Sequence, residues 1–344
     1  MPPDVQSVET QRAFGVGPVQ RMLILRTFPA YANMSPEQLA VTANYTRERF
    51  HEPGTLLQRR GELSSHLHFV VTGAVELRRG DEVLRRFGPK SVVGGIGALA
   101  RMPHAYDVVA VEQTITLEMP VEDIWDVFED HFPMLRAVMG RVALQVIENR
   151  QSMGPNAGYS DDVGKPVPCP DRPLDLVERM ARLRASMSFA QSRLDAIAEL
   201  ARECREERHA AGSVLWREGE RMDSFYLVVS GVVSCVSQKT GQTFRFGPGD
   251  AVGVLDALAH EKRWYTATVT ERTCVLRVDC ETLFDLFEDQ FELAQDMLAM
   301  MARSIMEFYA PEGSSSGSSI RPPPTSSPTP PPASPPPGAD GVVS

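Results

Sequence analysis

The chain has 344 residues, long enough for two domains, and 42% of them are hydrophobic, enough to fill a core in each half. A formal charge of −10 argues against nucleic acid or an anionic membrane surface as the main partner. The five cysteines (Cys169, Cys204, Cys235, Cys274 and Cys280) contain no C-x-x-C pair, so neither a disulfide framework nor a zinc ribbon is indicated. The opening MPPDVQSVET lacks the basic and apolar parts of a secretory signal, and no apolar run approaches the roughly 20 residues of a membrane span. A reducing cytoplasm is the expected setting.

Residues 1–18 read as an N-terminal tail and 19–150 as a first domain. Helical patterns come first. Short alternating strands follow, punctuated by Gly54, Gly61, Gly73 and Gly88, as in a small antiparallel barrel or jelly roll. A glycine-led stretch at 94–112, GGIGALARMPHAYDVVAVE, interrupts the strands with one short helix. Further strand residues lead to a helix opening near Glu122, and Pro133 breaks it. A last helix then runs to Arg150, with Leu135, Val138, Met139, Val142 and Val146 on one face. Residues 151–173 are rich in Gly and Pro without periodicity and read as a cleavable linker between two separately cored domains. A second domain spans 174–310, and the Pro/Ser-rich stretch 311–344 reads as a disordered tail.

The second domain repeats the first. An offset of 159 carries GGIGALARMPHAYDVVAVE onto GVLDALAHEKRWYTATVTE at 253–271, and IWDVFEDHF onto LFDLFEDQF. Upstream the offset is 158: PGTLLQRRGE answers to AGSVLWREGE, and HFVVTGAV to YLVVSGVV. One residue is therefore gained between Gly231 and Phe246, at a polar hairpin tip where insertions are tolerated.

These residues resemble the cyclic nucleotide-binding domain: the Gly-Glu before a strand (RRGE, REGE), the strand YLVVSG, the turn FGPGD at 246–250, and the segments led by Gly94 and Gly253. The likeness covers about 30–150 and 185–309. It implies a mainly β fold with flanking helices, as two tandem jelly-roll-like β-barrels of the kind found in kinase regulatory subunits. The family's phosphate-binding cassette reads roughly Gly-Glu-Leu-Ala-Leu, then Pro-Arg-Ala-Ala. By that resemblance, helix N–H groups and the arginine hold the cyclic phosphate while the glutamate holds the ribose. In repeat one the matching positions are Gly94, Gly95, Ile96 and, for arginine, His104, which could serve only if protonated. In repeat two they are Gly253, Val254, Leu255 and Arg263, followed by Trp264 and Tyr265, which could stack on a base. Neither repeat keeps both ligand-holding side chains. Arg263 is either an anion ligand or a solvated turn arginine beside Glu261. A surviving site is expected in repeat two.

No catalytic constellation has a recognisable signature, so no enzyme activity and no cofactor beyond a cyclic nucleotide ligand is expected. His66 and His68 sit on one face of a strand at a metal-binding spacing. No glutamate follows within a few residues, and no metal site is expected. No DNA-binding element is expected after Tyr309, and residues 1–25, whose only basic residues are Arg12 and Arg21, give no support to a kinase-inhibitory mode. The expected function is regulatory: sensing a cyclic nucleotide or related anionic metabolite and signalling to a protein partner. The alternative is a scaffold with dead pockets that binds protein only. The Leu135–Val146 stripe is expected to pair across a homodimer or to dock on the neighbouring domain.

Overall fold

The computed structural model describes residues 16–308, apart from 33, 161, 166, 187, 188, 190–192 and 222. The first fifteen residues and the Pro/Ser-rich tail, for which disorder is expected, lie outside the described residues.

In the first repeat, α1 (Pro18–Arg26), a 3-10 turn and α2 (Pro36–Tyr45) precede the strands. Ser35 caps α2 by accepting from Gln38 N, and Pro36 supplies the preset φ of a first helical residue. β1 (Arg47–His51), β3 (His66–Thr72), β6 (Val92–Val93) and β8 (Thr114–Pro120) form one antiparallel sheet in the order β1-β8-β3-β6. β2 (Leu56–Gln58), β4 (Val75–Arg79), β5 (Glu82–Phe87) and β7 (Asp107–Ala110) form the other, ordered β2-β7-β4-β5. α3 (Gly95–Ala100) follows β6, and α4 (Val121–Asp130) and α5 (Phe132–Ser152) close the repeat.

The second repeat follows the same plan: α6 (Leu176–Ala185), α7 (Leu194–Glu203), then β9 (Arg205–His209), β10 (Val214–Trp216), β11 (Ser224–Ser230), β12 (Val233–Val236), β13 (Thr243–Phe246) and β14 (Ala251–Val252). After α8 (Val254–Leu258) come β15 (Thr266–Val269), β16 (Thr273–Asp279), α9 (Cys280–Asp289) and α10 (Phe291–Phe308). Its sheets, β9-β16-β11-β14 and β10-β15-β12-β13, match those of repeat one strand for strand.

Two expectations are corrected. Each barrel interior has its own apolar cluster, around Val70 and Val108 in the first and around Trp216 and Phe244 in the second. The main core, however, is continuous across both repeats: Leu135, Val142 and Val146 of α5 share it with Met297, Met301 and Ile305 of α10. The α5 stripe thus docks on the neighbouring domain. Nor is 151–173 a bare tether. Tyr159 stacks on Phe244 with centroids 4.7 Å apart, and Val163 lies against Gly247 so closely that a Cβ there would collide with it. Gln242, in the lengthened hairpin tip, is buried and donates to the carbonyls of Arg150 (3.0 Å) and Met153 (2.9 Å). Those carbonyls lie at the C-terminal end of α5, where that of Arg150 also accepts from Met153 N (3.1 Å).

Candidate functional site

The two cassettes share one backbone geometry. Gly94 begins α3 with φ 87° and Gly253 begins α8 with φ 81°, the left-handed region that glycine enters at no steric cost. Space also demands glycine. A Cβ on Gly94 would collide with the Gln58 amide, and one on Gly253 would stand 2.5 Å from the Arg263 guanidinium.

Each cassette turn has two carbonyls that accept side-chain hydrogen bonds, and the repeats supply the donors differently. In repeat one, Ser64 Oγ donates to Gly94 O (3.0 Å) and Gln58 Nε2 to His66 O (3.1 Å). In repeat two, Arg263 serves both of the matching carbonyls, through Nη1 to Gly253 and Nη2 to Ser224. Its Nη1 also lies 3.4 Å from Asp256 Oδ2, and its guanidinium lies 4.4 Å from the ring centroid of Trp216. Arg263 is 1% exposed, a buried structural cation and not a solvated turn residue. Asp256 is equally buried, and desolvation raises its pKa to about 6 despite the opposing pull of Arg263.

The offset of 159 sets Asp256 on Gly97 and Arg263 on His104. His104 lies over Gly97, where any Cβ would collide with the imidazole, and its Nε2 is 2.7 Å from Ser64 Oγ. Burial lowers its pKa, so it brings no charge to the position where the resemblance places arginine.

A cavity of about 380 Å³ adjoins the first cassette, with Gly94, Gly95 and Ile96 in its wall. A second, of about 310 Å³, adjoins the other cassette, with Gly253, Val254, Leu255, Trp264 and Tyr265 in its wall. Neither Arg263 nor His104 is in the wall of these two cavities; both side chains pack behind the cassette turns. The linings differ in charge. Among the described residues the first holds Arg85, Lys90 and Arg141 and no carboxylate. The second holds Arg150, Arg245 and Arg303 together with Asp162, Asp250, Asp256 and Glu307.

Both last helices wall both cavities: Val142 and Ile305 line the first, Val146 and Met301 the second. The helices are exchanged. α10 of repeat two packs on α3, where Arg303 Nε donates to Ala100 O (3.1 Å) and Gln295 accepts from Arg101 Nη2 (2.5 Å). α5 of repeat one packs on α8, where a Cβ on Gly140 would stand 3.2 Å from Leu258 O. Arg136 of α5 pairs with Glu281 and lies over the Phe284 ring at 4.2 Å.

The cyclic nucleotide-binding domain family matches this sequence twice, over residues 48–131 and 206–290. The chain carries two cyclic nucleotide-binding domains in tandem. No curated protein matches it. Among solved structures it is similar to the regulatory domain of Toxoplasma gondii PKA in complex with cAMP (20% identity, 83% of this chain and 96% of that one, TM-score 0.32). It is also similar to the regulatory subunit of a cAMP-independent protein kinase A from Trypanosoma cruzi bound to guanosine (14% identity, 84% and 89%, TM-score 0.31). A third similar structure is the N-terminal domain of a transcriptional regulator from Streptomyces coelicolor A3(2) (25% identity, 37% and 91%, TM-score 0.34).

Asp256 was missed in the sequence of the second cyclic nucleotide-binding domain, although a carboxylate inside a phosphate cassette is a visible signal. The roles of Gln58 and Trp216, and of Arg141 and Lys90 in the first domain's cavity, carry no local signal. No helix among the described residues is long and apolar enough to cross a membrane.

Proposed function

We propose that this is a non-enzymatic regulatory protein that binds a cyclic nucleotide or related anionic ligand in its first domain and relays the event to its second. The observation that carries this reading is the first cavity, where cassette glycines face Arg85, Lys90 and Arg141 with no carboxylate in the wall. Among the described lining residues, the charged groups an anion would meet there are all positive. The second cassette works against an anion, because Asp256 faces the cradle and Arg263 is spent on Gly253, Ser224 and Asp256. This moves the expected site from repeat two to repeat one. The relay follows from the exchanged helices: a ligand that presses on α5 or α10 acts on the other domain's cassette helix.

The test is calorimetry and thermal shift with cyclic AMP and cyclic GMP. Arg141→Ala and Lys90→Ala should each weaken binding by about tenfold, the loss of one charge-assisted contact of about 1.5 kcal/mol. Asp256→Ala should leave first-domain binding intact. If Asp256→Ala strengthens binding while Arg141→Ala does nothing, the ligand sits in the second domain. The scaffold reading has its own support in Arg263, whose two terminal nitrogens are taken up by Gly253, Ser224 and Asp256, and it takes over if neither nucleotide binds the wild type or Asp256→Ala.

A further inference from the structure

We propose that His51, His68 and Glu118 form a binding site for a divalent first-row metal ion, with zinc best suited, inside the first domain's β-roll. β8 lies between β1 and β3, and Glu118 pairs directly with His68 across the sheet. Val70, two residues along β3 from His68, belongs to the barrel's apolar cluster, so His68 shares that inward face. His51 is 8% and His68 4% exposed.

Glu118 Oε1 is 3.6 Å from His51 Nε2 and 3.3 Å from His68 Nδ1. The three donor atoms lie within 4.8 Å of one another. Ligands on tetrahedral zinc, with bonds of about 2.0–2.2 Å, stand about 3.3–3.5 Å apart. The two measured edges are close to that spacing before any ion is present. His68 Nδ1 is buried and has no hydrogen-bond partner of good geometry, its neighbour being Glu118 Oε1 at 3.3 Å. Glu118 Oε2 accepts from Arg49 Nε (3.3 Å), which fixes the carboxylate's rotation from outside, the support that metal-binding carboxylates ordinarily have. Two imidazoles and a carboxylate suit zinc and leave a fourth position for water.

The set belongs to one domain. His51 corresponds to His209, but His68 corresponds to Tyr226 and Glu118 to Arg277, and those two pair in the same register. The pair His66 and His68, noted in the sequence, is not the site. His66 contacts Ser65 Oγ (2.9 Å), and the missing acid comes from β8 instead of the following residues. A bound ion would tie β1, β8 and β3 together.

The experiment uses full-length protein stripped with a chelator and then titrated with zinc and with cobalt. About one equivalent of zinc should bind and raise Tm, and cobalt should give visible bands of nitrogen and oxygen ligation without thiolate charge transfer. Glu118→Gln keeps the shape, and His68→Tyr installs the residue the second domain already uses there. Each should weaken zinc binding by about 100-fold or more. No saturable uptake by the wild type, uptake undiminished in both variants, or a thiolate cobalt spectrum would each overturn the proposal.

Discussion

Arg263 holds two loop carbonyls and a carboxylate at once, so a phosphate that recruited it would have to displace all three. Asp256 makes the arrangement sensitive to pH. Its folded pKa, about 6, lies above the ordinary 3.8, so protonation favours the folded state. The contribution is full below about pH 4 and is lost as pH rises through 6, a change of about 3 kcal/mol across the window. Urea unfolding at pH 4.5 and 7 should show it, and Asp256→Asn should flatten the difference; an unchanged slope in that variant would remove Asp256 as the cause. Gly253→Ala should destabilise by about 2 kcal/mol or more, since it adds left-handed strain to the contact with Arg263. The glycines that open both cassettes were legible, because a left-handed turn leaves a mark in sequence. The inward turn of Arg263 was not, because Trp216 and the Ser224 carbonyl come from distant strands.

At the scale of elements, the exchange of α5 and α10 is the main finding. Both were visible as amphipathic helices, yet which surface each apolar face would meet depended on the packing of two domains. Val142 is 5% exposed, sits in the shared core and lines the first cavity. Val142→Asp buries an unpaired carboxylate and should lower stability by about 3 kcal/mol or more. Arg303→Ala is milder. It leaves the Ala100 carbonyl without its donor, costing about 1–2 kcal/mol. If the relay through α10 is real, Arg303→Ala should also change ligand affinity in the first domain without altering a residue of that domain. A stability loss with affinity unchanged would leave α10 a brace and not a relay.

For the whole molecule, the continuous core predicts that the repeats do not behave as beads on a string. A chain nicked within 151–173 should still elute as one particle without denaturant and unfold in a single transition, because α5 and α10 hold the halves together. Separation of the two fragments on size exclusion would contradict this. The packed Tyr159, Val163 and Gln242 contacts also predict slower cleavage there than a Gly- and Pro-rich composition suggests.

By itself, the sequence determined the two-fold repetition, the mainly β character and the family, because each rests on local signals: period-two alternation, glycines at forced turns, and a motif written twice at a fixed offset. Tertiary structure decided everything that depends on residues meeting across that offset. It alone set Arg263 against Asp256 and Trp216, left positive charge without a carboxylate around the first cavity, and brought Glu118 between His51 and His68. The physical reason is that burial, desolvation and ligand geometry belong to pairs of atoms in space, and a barrel makes its closest neighbours from strands far apart in the chain.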